Sequence, residues 1–232
     1  MLDKVKEEKM AIDIELKNIV KKFCLRLIGV KNPYSRVEDE NKVIYVHIPK
    51  TGGNAVMSSL FNCPGVGHEY IDEYYRFNRY KFNRYFKFAI VRNPYTRFNS
   101  AFNYLKKGGI SESDIKYMKP MLESINNVDD FVDALRSDAI FYFNVMNYVH
   151  FVPQSNFLTS TCKIRGVTID YIGKQEELGD SIKELGELLK LDNVKPKSVN
   201  VTSSYDKHLS ENVKSFVSEH YAKDFEILGY SK

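Results

Sequence analysis

The sequence has no tryptophan and only three cysteines, Cys24, Cys63 and Cys162, with no CxxC spacing among them. An odd, scattered set excludes a disulfide framework and a cysteine-based zinc site, and it suits a reducing compartment. Long apolar runs are also missing: none approaches the roughly 20 residues that span a bilayer. Met1 to Met10 mixes charges of both signs and lacks the apolar core of a secretory signal. The expectation is a cytoplasmic protein. A one-sided charge is absent as well. The net charge of +4 helps to attract a polyanion but makes no case for nucleic acid.

What is present fits one α/β domain: 232 residues, 43% of them hydrophobic, with no linker that would split the chain. Residues 1–40 read as an N-terminal helical extension and 41–232 as the main domain. Within the extension, residues 10–28 place Ile12, Leu16, Ile19, Phe23 and Leu27 on one helical face, with Lys17, Lys21, Lys22 and Arg26 elsewhere. That helix packs on the domain or, in a second reading, touches the inner face of a membrane as a basic amphipathic element. Apolar runs at 43–48, 86–91 and 167–172 predict three strands. Helical spacing follows each of them: over 54–62, from Asn93-Pro94 to Gly108-Gly109, and over 176–191. Residues 111–150 read as mostly helical, and 209–228 as a last helix. Strands alternating with helices imply a central, mainly parallel sheet with helices flanking it.

Two segments carry chemistry. The first is strand, Pro49-Lys50-Thr51-Gly52-Gly53-Asn54, helix. A glycine turn entering a helix presents backbone N–H groups to an oxyanion. Lys50 adds a mobile charge, and Thr51 and Asn54 add side-chain donors. This is not a Walker A loop, because the lysine precedes the glycines. The second is strand, Arg92-Asn93-Pro94, helix. It puts a guanidinium at the carboxyl end of a strand, where ligands gather in open α/β sheets, and Ser100 two turns further on.

The string HIPKTGGN, residues 47–54, resembles the 5′-phosphosulfate-binding loop of sulfotransferases that use 3′-phosphoadenosine-5′-phosphosulfate (PAPS), in their carbohydrate-type branch. FAIVRNPYTRFNSAFNYL resembles the 3′-phosphate-binding segment of the same family. HFVPQSNFL, IDYIGKQEEL and KDFEILGY are weaker echoes of it. The resemblance runs from about Val43 to Tyr230 and implies a P-loop-like nucleotide-binding sulfotransferase fold. It implies that Lys50 contacts the oxygen bridging phosphate and sulfate. Pro49 to Asn54 would hold the 5′-phosphate, and Arg92 and Ser100 the 3′-phosphate. Arg97 matches a family arginine whose role is structural. The chain departs from the pattern at Asn54-Ala55, where Thr-Ser is usual and a hydroxyl contact is lost. No metal is required, since no histidine or cysteine shows ligand spacing. The lack of the anchor carried by animal relatives implies a bacterial source.

Transfer to a hydroxyl needs a group to take its proton, and histidine titrates in the right range. His68, in GVGHEYIDEYYRF, is similar to the catalytic base of uronyl 2-O-sulfotransferases, with Glu69 and Glu73 as alternatives. His47 reads as packed, His150 as lying at a site edge, and His208 and His220 as facing solvent. Residues 74–88 alternate aromatics with Arg76, Arg79, Lys81, Arg84 and Lys87, which suggests an anionic glycan acceptor. The resulting reading is an enzyme moving a sulfuryl group from PAPS to a carbohydrate hydroxyl, releasing PAP, as in polysaccharide biosynthesis. The alternatives are a nonenzymatic PAP- or PAPS-binding module and an ATP-dependent phosphotransferase.

Overall fold

The structure, a computed structural model, describes residues 32–63, 65–159, 168–192, 194 and 209–232. The expected helix over 10–28, Cys24, Cys162 and His208 lie outside them. The chain forms a three-stranded parallel sheet in the order β1-β2-β3, with helices around it. The strands are β1 (Val43–Val46), β2 (Phe86–Val91) and β3 (Tyr171–Lys174).

Helix α1 (Arg36–Asn41) starts on a reciprocal cap. The Ser35 hydroxyl accepts from the Glu38 amide at 3.2 Å, and the Glu38 carboxylate accepts from the Ser35 amide at 2.7 Å. Glu38 is fully buried and also accepts from the β1 amide of Tyr45, so this helix belongs to the same packed unit as the strands. Between β1 and β2 lie α2 (Gly53–Phe61), α3 (Ile71–Phe77) and α4 (Arg79–Arg84). Then come α5 (Pro94–Lys106), a π-helical turn (Asp114–Met118), α6 (Val128–Ser137), α7 (Ala139–Met146) and α8 (Gln154–Leu158). After β3 follow α9 (Leu178–Leu188), α10 (Glu211–His220) and α11 (Ala222–Leu228).

Side chains alternate across a strand, so Val43 and Tyr45 share one face of the sheet and Ile44 and Val46 the other. Both faces are covered. With Phe88 and Ile90, the first face packs on α2 and α9; with Ala89 and Val91, the second packs on α3 and α8. This is why the strands read as unbroken apolar runs. A third cluster, centred on Phe98, Phe102, Phe131 and Phe216, joins α5 to α6 and α10.

The predicted third strand sits later than its apolar run. Pairing runs from Phe88 with Tyr171 to Val91 with Lys174. Gly173, which follows the predicted apolar run, is a buried strand residue. A Cβ there would come within 2.7 Å of Ile90 and Ser181, so only glycine lets α9 close on the sheet. The expected single last helix is broken at Tyr221, whose buried hydroxyl donates to the Phe151 carbonyl at 2.7 Å. Among the described residues, no helix is long and apolar enough to cross a membrane.

Candidate active site

Because β1 and β2 run parallel, the turns that leave them emerge at one edge of the sheet. Lys50 sits in the first turn with φ 70°, a left-handed conformation that costs a non-glycine residue about 1–2 kcal/mol. Arg92, from the second turn, ties it down. Its Nη1 donates to the Lys50 carbonyl at 3.3 Å and its Nε to Thr96 Oγ1 at 2.8 Å. The buried Arg97 donates from Nε to the Pro49 carbonyl at 3.0 Å. The two sequence motifs therefore form one structure.

Thr51 corrects an expectation. It is fully buried, and its hydroxyl donates to the Ile48 carbonyl at 2.8 Å, because a buried hydroxyl must find a partner. Asn54 is exposed at the start of α2. The first amides of that helix lack intrahelical acceptors and carry its positive end. Gly53 is there for space, since a Cβ would stand 1.8 Å from His47 Nε2. We expect Gly53→Ala to lower stability by about 1–3 kcal/mol through overpacking against His47, read by thermal melts.

Thr96, Ser100 and Tyr104 are four residues apart, so they form one stripe along α5. Ser100, half-buried, lies one turn beyond the hydroxyl that holds Arg92. At the far end of the stripe, Lys50 Nζ stands 3.7 Å from the centroid of the Tyr104 ring.

Three cations thus converge. Burial lowers Lys50 to about 8, Arg92 adds to the drop, Asp114 opposes it and Arg97 contributes least. Arg97 is lowered by burial as well, and its Nη2 has no hydrogen-bond partner among the described residues. Buried cations without enough countercharge are costly, so the site fits a polyanion.

His68 lies beside them. Its Nδ1 is 3.0 Å from the His47 carbonyl, which can only accept, so Nδ1 carries the proton and Nε2 keeps its lone pair. Burial lowers its pKa. His47 donates from Nδ1 to the Val66 carbonyl at 2.9 Å, and burial pushes it to about 3. His150 lies further inside than its expected place at the edge. It is buried and lowered by burial to about 4, with its ring 6.0 Å from that of His68. The Glu73 carboxylate accepts from the Tyr70 amide at 2.7 Å, which is a helix-capping role. His220 does not face solvent as expected. Burial lowers its pKa, and its Nδ1 meets the Tyr142 hydroxyl at 2.8 Å.

Three residues without a sequence signal complete the arrangement. Gln154, fully buried, brackets Arg92: Oε1 accepts from its amide at 2.9 Å and Nε2 donates to its carbonyl at 2.7 Å. Asp224 fixes Gln154 by accepting from its amide at 2.8 Å. Glu176 accepts from the Asn93 amide at 2.8 Å and from the Tyr230 hydroxyl at 2.9 Å. Only the segments HFVPQSNFL, IDYIGKQEEL and KDFEILGY were recognisable, and nothing in them pointed to these contacts.

The sequence model of the sulfotransferase family matches residues 33–231. The chain belongs to the sulfotransferase family. No curated protein and no solved structure matches it. As a sulfotransferase it transfers a sulfuryl group from a donor to an acceptor. Among its described residues, no group of three or more His, Cys, Asp or Glu could hold a metal ion.

The basic–aromatic run of this sulfotransferase, residues 74–88, is not the continuous cationic surface its sequence suggests. It breaks at Asn78 into α3 and α4, and α4 leads into the amino end of β2, opposite the Arg92 end. Lys81 is paired with Asp39 at 2.6 Å. Lys87 is buried, donates to the Phe82 and Tyr85 carbonyls and pairs with Asp170 at 3.2 Å. Arg76, Arg79 and Arg84 stay exposed, the last two over the Tyr75 and Tyr80 rings, so the cations divide between the surface and the packed side of the segment.

Proposed function

We propose that the protein moves the sulfuryl group of PAPS to a hydroxyl of a carbohydrate acceptor and releases PAP. One observation carries this reading: the 3.3 Å bond from Arg92 to the Lys50 carbonyl, which makes one anion-binding edge out of two motifs. The unpartnered Arg97 Nη2 and the depressed Lys50 ammonium support a highly charged occupant.

When bound, PAPS supplies an activated sulfuryl group with PAP as its leaving group. The amides at the start of α2 hold the 5′-phosphate, with the Asn54 side chain as a further donor. Arg92 and Ser100 take the 3′-phosphate, Arg92 being held in place by Thr96 and Gln154. Lys50 places its ammonium at the bridging oxygen and stabilises the charge that grows there. His68 takes the proton of the acceptor hydroxyl at Nε2, the nitrogen left unprotonated by the bond from Nδ1 to the His47 carbonyl.

The carbohydrate acceptor rests on the resemblance of HIPKTGGN and of the His68 segment to the carbohydrate branch. With Lys81 and Lys87 in ion pairs, the exposed Arg76, Arg79 and Arg84 are the cations of residues 74–88 that an anionic glycan would meet. Transfer of radiolabelled sulfate from PAPS onto a panel of neutral and acidic glycans tests the reading. Labelled product with any of them supports it. Failure to bind PAP at millimolar concentration, or Mg²⁺-dependent ATP turnover instead, overturns it.

Ser100 carries a separate prediction. Ser100→Ala should weaken PAP about tenfold, the size of one hydrogen bond to a charged group, and leave the analogue without the 3′-phosphate unaffected. Equal loss for both ligands in calorimetry contradicts the assignment.

A further inference from the structure

Asp114 is the most heavily bonded carboxylate near the site, and the mechanism above does not use it. It stands at the start of the π-helical turn, a distortion often found at functional sites. It is 1% exposed. Oδ2 accepts from the Tyr104 hydroxyl at 3.0 Å and from the Ser111 and Ile110 amides at 3.0 and 3.2 Å. Oδ1 accepts from the Tyr148 hydroxyl at 2.6 Å and lies 3.5 Å from His150 Nε2. These donors push its pKa down against the effect of burial, so the charge is permanent in the working range.

The Tyr104 ring connects this anion to the site. Its hydroxyl is fixed by Asp114 and its face receives the Lys50 ammonium at 3.7 Å. An ammonium over an aromatic face is attracted by about 0.5–2 kcal/mol, more as water is excluded. We propose that Tyr104 and Asp114 are positioning residues for Lys50: the ring seats the ammonium, and the carboxylate behind it fixes the ring and offsets the two neighbouring guanidiniums. The inference rests on the assignment of Lys50 to the leaving group.

The groups facing Lys50 are Arg92 and Arg97, which oppose its charge, Asp114 and the Tyr104 ring, which favour it, and His68 and His150, both lowered by burial. Remove the ring or the anion, and a single favouring group is left against the charges of Arg92 and Arg97. Without its seat the lysine both loses its proton more readily and leaves the position it needs at the bridging oxygen.

The test reads Lys50 directly. Its side chain is titrated by NMR in lysine-labelled protein, with the resonance assigned by its loss in Lys50→Ala. Tyr104→Leu and Asp114→Asn should each lower the midpoint by about half to one pH unit. Tyr104→Phe, which keeps the ring but not its bond to Asp114, should fall between them and the wild type. All three should bind PAP within about threefold of the wild type while kcat drops about tenfold or more. Should Asp114→Asn fail to fold, Tyr104→Leu decides alone, since Tyr104 is only partly buried and leucine keeps its apolar packing. An unchanged Lys50 midpoint in folded Tyr104→Leu overturns the proposal. A shifted midpoint in protein that transfers no sulfate from PAPS leaves the seating of Lys50 by Tyr104 and Asp114 standing and overturns its leaving-group role together with the proposed function.

Discussion

Lys50→Ala should lower kcat by about two to three orders of magnitude while changing PAP affinity less than about tenfold. The asymmetry follows from the role. Charge on the bridging oxygen appears as the bond breaks, so the ammonium is worth most in the transition state. On the proposed assignment PAP would keep its other contacts: the α2 amides at one end, Arg92 and Ser100 at the other. Equal losses in turnover and PAP binding would make Lys50 an ordinary phosphate ligand. The pH dependence adds a second reading. Burial and Arg92 lower Lys50 to about 8, and it works only when protonated. The kcat/KM profile should therefore fall as pH rises through about 8, well below the range of an ordinary lysine. In Lys50→Arg the alkaline limb should move out of reach, because a guanidinium stays charged.

His68→Ala should lower kcat by about 10² to 10⁴-fold, the usual worth of a positioned base, with PAP affinity unchanged. As the proposed base it would act in its neutral form, and burial lowers its pKa. The wild-type acid limb therefore lies below the usual histidine range. With Lys50 on the other side, the profile should be bell-shaped. In His68→Ala the limb set by this group should vanish from the residual rate. A variant that binds PAP normally and transfers at the wild-type rate would leave His68 as a loop histidine held by the His47 carbonyl. Glu69 would then be the next residue to test, because the Glu73 carboxylate is occupied in capping α3.

Much of this arrangement is written in short stretches of the chain. Strand, glycine turn and helix are local, and so are the cap at Asn93 and the proline that opens α5, whose N-cap side chain accepts from the Tyr95 amide at 2.9 Å. The eight-residue spacing from Arg92 to Ser100 is local too. Continuous apolar runs gave the strands because both sheet faces are covered. Where the pattern misled, a distant contact had decided the matter. Gly173 resembles a turn residue until α9 is laid against it. Lys87 resembles a surface cation until β2 buries it beside Asp170. His220 gives no sign of burial until α7 brings Tyr142 to it.

The sequence by itself determined the parallel α/β architecture and the two strand–turn–helix segments that carry Lys50 and Arg92. All of these depend on residues within about two helical turns of one another. Only the tertiary structure decided that Arg92 clasps the Lys50 turn, that Gln154 and Asp224 hold Arg92, and that Tyr104 and Asp114 stand behind the lysine. Those contacts join residues 42 to 70 positions apart, apart from the Tyr104–Asp114 bond at 10. No local periodicity encodes such pairs, because each arises when separate elements bury their apolar faces and bring their polar ends to one edge of the sheet.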